Sequence, residues 1–333
     1  MFKDIFENAL KNCNPVEATI ELLTKCNWNC KHCYIPVHNN DGLTTDEVFK
    51  LLYELREMGV FQVTFSGGEV FYRSDAMKII RKARELHFDV SIFTNASLLT
   101  EEMIIELSKL YISQISCTIF SMDEEIHNSI SRKSGSLRNA LRNIELAKKH
   151  EIPVQVKSMV MKENHESIAG LKDYCEMKGY PYKFDPVIFT KLDGNTSPLK
   201  LRLSADELAE CIPITDEVNG VDLSTKSIED YMCPSIRSSF SINSNGDVIP
   251  CNVFPVVLGN VKSNNISDIW KDSKQLKILQ ETKWIDLNTC KSCEKTSFCV
   301  RCPGLAMYED GDMFGPSSSA CSIAEVRQDY FSK

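Results

Sequence analysis

No stretch of the chain approaches the roughly 18 uninterrupted apolar residues of a membrane-spanning helix, so none is expected. An excess of positive charge is also missing. Against 46 aspartates and glutamates stand 38 lysines and arginines, a net charge of −8. That balance argues against non-specific nucleic-acid binding, which needs a basic face. The opening MFKDIFENALKNC lacks the charged start, apolar centre and small-residue cleavage site of a secretory signal. The spacing of Phe2, Ile5, Phe6, Ala9 and Leu10 predicts a short packing helix there instead. Internal repeats and low-complexity tracts are absent, which sets aside solenoids and linker-like segments. What remains is an ordinary globular composition, 43% hydrophobic and 25% charged.

Cysteine is the exception, with fourteen in 333 residues. Without a secretion signal the expected location is the cytoplasm. Dense thiols in that reducing setting mean metal or redox chemistry more often than disulfides.

Patterning predicts strands over 17–24, 61–66, 89–94, 114–120, 154–161 and 182–188. Helices are expected between them, over 45–58, 74–86, 100–110, 137–149 and 165–177. Such alternation implies a parallel sheet with crossover helices. Six units of this kind make a full or partial TIM-type barrel, with ligands at the C-terminal ends of its strands. The pattern changes after about residue 192, where a turn-rich break precedes helical stretches at 201–212 and 266–279. From residue 231 the chain is cysteine-rich and poor in long periodic runs, and such a region relies on metal staples more than on a core. The expected fold is therefore α/β: a partial (β/α)6 barrel over 1–200, a linker or bridging helix over 201–230, and a small cysteine-rich domain over 231–333.

Two motifs follow the first two strands. Cys26, Cys30 and Cys33 form a CxxxCxxC loop after the first. Three thiolates hold three irons of a [4Fe–4S] cube and leave the fourth iron open to a ligand. The competing readings are buried thiols or a zinc site. Zinc prefers four closed ligands, and His32, between two of the cysteines, is poorly placed to reach the same metal. Ser66-Gly67-Gly68-Glu69 follows the second strand. Further on come Cys233-x12-Gly246-x4-Cys251, then Cys290-x2-Cys293-x5-Cys299-x2-Cys302, then Cys321. Four of these would suit a zinc ribbon, but Cys233, Cys251 and Cys321 would then have no role.

The first loop, ending in Cys33-Tyr34, looks like the cluster motif of the radical S-adenosylmethionine superfamily, and Ser66–Glu69 is similar to that superfamily's GGE motif. The resemblance implies a [4Fe–4S] cluster on Cys26, Cys30 and Cys33 that binds S-adenosylmethionine. Tyr34, Gly67, Gly68 and Glu69 would contact the cofactor, the glycines by close backbone approach and Glu69 at the methionyl ammonium. Thr94, Asn95, Ser121 and Ser158 would be further contacts. Ser121 and Asp123 lie in FSMDEEIHNSI, which resembles the family's SLDG…H stretch, with Met122 and Glu124 in place of Leu and Gly.

The C-terminal third resembles the SPASM extension, a domain with two auxiliary [4Fe–4S] clusters, although its third gap is x2 where x3 is usual. By that resemblance Cys290, Cys293, Cys299 and Cys321 enclose the outer cluster, and Cys233, Cys251 and Cys302 hold the inner one. The stretch 235–240 has no cysteine where many relatives have one. The inner cluster then has an open iron, or Cys211 or Asp230 closes it. Of the leftover Cys13, Cys117, Cys175 and Cys211, Cys117 reads as core packing. The implied cofactors are S-adenosylmethionine and three [4Fe–4S] clusters.

The implied activity is hydrogen-atom abstraction from a peptide by a 5′-deoxyadenosyl radical, with formation of a thioether or carbon crosslink in a ribosomal peptide. The alternatives are tailoring of a small molecule such as a haem precursor, sulfatase maturation, and a non-enzymatic iron–sulfur electron carrier. The sulfatase role is disfavoured because those enzymes place an aspartate base where this chain has Asn252. A flavodoxin or ferredoxin would be the reductant, with no nucleic-acid or membrane partner. Few residues precede the first strand, so a fused peptide-recognition domain is not expected. A separate protein would present the peptide, or the barrel mouth would read it.

Overall fold

The computed structural model describes residues 2–221, 227–254 and 256–332. Helix α1 (Phe2–Asn12) leads into β1 (Glu17–Glu21). The next units are α2 (Thr45–Glu57) with β2 (Gln62–Ser66), α3 (Ala76–Glu85) with β3 (Asp89–Thr94), and α4 (Glu101–Lys109) with β4 (Gln114–Thr118). Two helices, α5 (Glu124–Ser131) and α6 (Ser136–Lys149), precede β5 (Val154–Met159), and α7 (Ile168–Lys178) precedes β6 (Tyr182–Asp185). Helix α8 (Ala205–Asn219) closes this series. Six strands run parallel in the order β6-β5-β4-β3-β2-β1 and β6 does not return to β1, so the barrel is partial, as the alternation predicts.

Strand parity explains the architecture. Ala18 and Ile20, Val63 and Phe65, Val90 and Ile92, and Val154 and Val156 alternate onto the face covered by helices and form the core. The opposite parity is polar: Glu17 and Thr19, Gln62 and Thr64, and Gln155 and Lys157 face the open interior of the half-barrel. Local signals fix the helices. Thr44 caps α2 in a reciprocal box with Glu47, and Ser204 does the same for α8 with Glu207.

The cysteine-rich region extends the barrel sheet. Strand β7 (Ser239–Ile242) pairs in parallel with the free edge of β1, and β8 (Asp247–Ile249) and β9 (Gly259–Asn260) follow it antiparallel. One nine-stranded sheet thus runs from barrel to C-terminal region. Phe240, Ile242 and Trp270 belong to the main core. The physical reason is the edge of β1, whose unpaired backbone groups need a partner strand.

The remaining helices are α9 (Ile266–Asp272), α10 (Lys274–Glu281), α11 (Pro303–Asp310) and α12 (Ser318–Phe331). A buried ion pair, with Arg327 Nε and Nη2 donating to Asp216 at 2.8 and 2.7 Å, ties α12 to α8. Around the C-terminal cysteines lies a second core of Met232, Ile236, Phe254, Leu279, Trp284 and Leu287. Among the described residues no helix is long and apolar enough to cross a membrane.

Candidate functional site

The connection from β1 to α2 carries Cys26, Cys30 and Cys33 over the C-terminal ends of the strands. It is held from behind by the glycine turn after β2. Gly68 N donates to Leu23 O at 2.9 Å, and Glu69 N to Lys25 O at 2.9 Å. A Cβ on Gly68 would lie 2.3 Å from the carbonyl oxygens of Thr24 and Lys25. One on Gly67, at φ +144°, would lie 2.4 Å from Leu23 O. Only glycine allows that approach. The two glycines, the three cysteines, Tyr34, Thr94 and Asn95 line one cavity of about 320 Å³.

The loop is pinned on its other flanks as well. Asn95 Nδ2 donates to Asn27 Oδ1 at 2.8 Å, and Asn27 Nδ2 to Ser97 Oγ at 2.9 Å. Trp28 packs on Phe120 and edge-on to His127. Asn29 N and Lys31 N donate to the last carbonyls of α5, on Ser131 and Ile130.

Glu69 does not border the cavity. Its carboxylate is fully buried and accepts from Thr94 Oγ1 at 2.6 Å, Asn95 N at 2.7 Å and Phe71 N at 3.0 Å. In this geometry the side chain braces β2 to β3, and both oxygens already have donors. Ser121, also fully buried, accepts from Asp123 N at 3.0 Å and shapes the turn in which Asp123 caps α5. Ser158 has the core-facing parity of Val154 and Val156, is buried, and borders a second cavity. Lys157 and Met159 of β5, on the opposite parity, also line that cavity, and the Lys157 ammonium stands 3.6 Å from the centre of the Phe93 ring. Parity would have found Lys157 from sequence, whereas nothing in the motifs marked Asn27 or Ser97.

The second cavity, about 570 Å³, shares His32, Tyr34, Phe93 and Thr118 with the first. The loop after β8 covers both: Asn252 lines the smaller and Val253 the larger. Asn252 hydrogen-bonds the Tyr34 hydroxyl, which burial and the neighbouring Glu21 and Cys33 push well above its ordinary pKa. Cys251, the residue before Asn252, is also an electrostatic neighbour of Tyr34.

Several of the thiols influence one another electrostatically. Cys30 feels Cys33 and Cys26, Cys251 feels Cys302 and Cys233, and Cys321 feels Cys290 and Cys293. Cys299 lies at the edge of the second core. Cys211 is packed in the main core on α8, where its charged neighbours are Glu210 and Glu207, so the structure does not bring it to the inner group. Burial foremost pushes Cys26 and Cys251 to about 12. Thiols so placed are neutral at pH 7 unless a metal supplies positive charge. Among the described residues no three His, Cys, Asp or Glu side chains gather as closely as a single ion needs. An all-thiol donor set spread in threes fits a cube, where each thiolate takes a different iron.

The model of the radical SAM superfamily matches residues 20–175, and that of the SPASM iron–sulfur cluster-binding domain matches 233–294. The chain is a radical SAM enzyme with a SPASM domain. It is 26% identical to the PqqA peptide cyclase of Bradyrhizobium diazoefficiens, over 95% of this chain and 88% of the relative. It is 24% identical to the AdoMet-dependent heme synthase of Methanosarcina barkeri, over 88% and 92%. In fold it is similar to Streptococcus suis SuiB bound to precursor peptide SuiA, with a TM-score of 0.73 at 18% identity, covering 96% of this chain and 79% of that one. It is equally similar to anSMEcpe with bound AdoMet and a peptide, with a TM-score of 0.72 at 17% identity, covering 95% and 96%. Membership of the family makes S-adenosylmethionine and iron–sulfur clusters the cofactors of this radical SAM enzyme.

Proposed function

We propose that this radical SAM enzyme matures a ribosomal peptide in the cytoplasm, closing a thioether or carbon crosslink. In this reading Cys26, Cys30 and Cys33 hold the cluster that binds S-adenosylmethionine. Cys233, Cys251 and Cys302 hold an inner auxiliary cluster, and Cys290, Cys293, Cys299 and Cys321 an outer one, three in all. The domain limits follow the same division, with a barrel to about residue 200 and a cluster domain from about 231. A flavodoxin- or ferredoxin-type reductant feeds the first cluster, and a separate protein presents the peptide or the barrel mouth reads it.

One observation carries the proposal. Cys251 of the inner group is followed by Asn252, which lines the smaller cavity, and Val253, which lines the larger, and His32 and Tyr34 of the first cysteine loop line both. When bound, the first cluster and cofactor supply a 5′-deoxyadenosyl radical that takes a hydrogen atom from an unreactive C–H bond. Crosslinking removes a further electron and proton, so it needs an acceptor beside the substrate. In this reading the inner auxiliary cluster is that acceptor. Tyr34 and Asn252 join the two sides, Phe93 and Phe120 give the cavities apolar walls, and the glycine turn fixes the first loop. Peptide chemistry is supported by the relatives named as PqqA peptide cyclases.

Sulfatase-type maturation lacks its base, since Asn252 borders the cavity as a carboxamide and cannot take up a proton. A second reading, tailoring of a carboxylate-bearing small molecule such as a haem precursor, is supported by the heme synthase relatives. It also fits Lys157 and Lys183, paired across β5 and β6 and both lining the larger cavity. Mass spectrometry of a peptide encoded beside this gene, co-expressed with and without the enzyme, separates the two. A mass loss that depends on Cys26, Cys30 and Cys33 supports the peptide reading. An unchanged peptide together with turnover of a haem precursor replaces it.

A further inference from the structure

The shortened gap between Cys299 and Cys302 leaves only Val300 and Arg301 between an outer-group and an inner-group cysteine. Val300 is turned to solvent, whereas Arg301 is 7% exposed. The Arg301 guanidinium is held from one side. Its Nε donates to Gly315 O at 2.9 Å, and its Nη2 donates to the carbonyls of Gly315 and Met313. Its Nη1 is buried with no hydrogen-bond partner among the described residues. No ion pair joins Arg301 to a carboxylate among those residues either.

A buried guanidinium with a free donor and no anion is costly. The groups around it say which anion it awaits. Cys302, of the inner group, is the next residue. Burial raises the thiols of Cys233 and Cys290, the Arg301 charge pulls both back down, and Cys290 lies close enough to Arg301 for a side-chain hydrogen bond to lower it further. Cys233 belongs to the inner group and Cys290 to the outer, so this one cation acts on both. A cube held by thiolates is net negative and becomes more so on reduction. A cation beside it favours the reduced form, and a hydrogen bond to its sulfur acts in the same direction.

We propose that Arg301 is the shared counter-cation of the two auxiliary clusters, donating from Nη1 to cluster sulfur and raising the reduction potential of both. The proposal rests on the cluster assignment made above. Charge held between the clusters also lowers the repulsion between an electron on one and an electron on the other. Arg301 thereby makes the SPASM domain a better acceptor without touching substrate, which is a positioning and tuning role.

The test is an EPR-monitored redox titration of the full-length, anaerobically reconstituted enzyme as wild type, Arg301→Gln and Arg301→Lys, at matched iron content. Gln should lower the midpoints of both auxiliary signals by at least a tenfold change in oxidised-to-reduced ratio, about 59 mV for one electron. The first-loop cluster should not move, and Lys should restore most of the change. Unmoved auxiliary midpoints, a shift in only one cluster, or an equal shift with Lys would each overturn the proposal, the last by showing that loop geometry and not charge is responsible. Where the Gln variant fails to load, wild-type enzyme labelled with guanidino-¹⁵N arginine replaces it. Pulsed EPR of the reduced auxiliary clusters should then show ¹⁵N coupling, and its absence overturns the proposal. Failure of the underlying assignment is distinguishable, because wild type would then hold far fewer than about twelve irons.

Discussion

Replacing Glu69 with Gln tests whether this residue braces the site or touches the cofactor. Glu69 Oε1 accepts from Thr94 Oγ1 and Phe71 N, and Oε2 from Asn95 N. Gln keeps one carbonyl oxygen for the first two donors. Its amide nitrogen then meets the Asn95 N–H, donor against donor, in a site with no exposure. Leaving one buried N–H unsatisfied costs about 1–3 kcal/mol. Losing the charge behind the two remaining bonds adds about 1 kcal/mol more. The variant should therefore lose about 2–4 kcal/mol of stability. The first-loop cluster should also become labile, because Asn95 holds Asn27 of that loop. Anaerobic urea unfolding gives the stability and EPR of the first cluster gives its retention. Wild-type stability combined with about a tenfold loss of S-adenosylmethionine affinity would refute the reasoning and return Glu69 to direct cofactor binding.

Other outcomes follow from the same geometry. Reconstituted wild type should hold about twelve irons, and Cys26→Ala, Cys30→Ala and Cys33→Ala together about eight, with no 5′-deoxyadenosine formed; iron analysis and chromatography check both, and twelve irons in the triple variant contradict the ligand set. Gly68→Ala should lose the first cluster alone, because its Cβ would press on backbone carbonyls at 2.3 Å; full iron content would contradict the tight approach. Lys157 is lowered to about 8 from its ordinary 10.5, by burial first and then by the charge of Lys183. The unfolded chain binds more protons between those values, so stability should rise with pH through that window. Lys157→Met should stabilise the enzyme at pH 7 by up to about 3 kcal/mol, and the gain should shrink towards pH 10. A gain that does not vary with pH would contradict a desolvated ammonium.

Much of this was legible in sequence because the signals are local. The six barrel strands and five of their helices show clear apolar periods, and the cysteine spacings and the Gly67-Gly68 turn carry their own geometry. The failures have physical causes. Helix α5 went unseen because only Ile126 and Ile130 mark an apolar face in eight residues. Strand β7 offers just Phe240 and Ile242, and what makes it a strand is the distant edge of β1. The helix expected over 266–279 breaks at Ser273, which ends α9 and caps α10. At the site, Ser158 and Lys157 differ by one step of strand parity, which a motif match does not resolve. The two oxygens of Glu69 find their donors on β3 and on the turn after Glu69 itself, two at Oε1 and one at Oε2, and only the fold brings these donors together.

The most direct measurement of the central claim follows a deuterium atom. A candidate neighbouring peptide, deuterated at its side-chain carbons, is turned over anaerobically with S-adenosylmethionine and a low-potential reductant. The account predicts deuterium in the recovered 5′-deoxyadenosine and a peptide lighter by the pair of hydrogens lost in crosslinking. Unlabelled 5′-deoxyadenosine with a peptide of unchanged mass would contradict it.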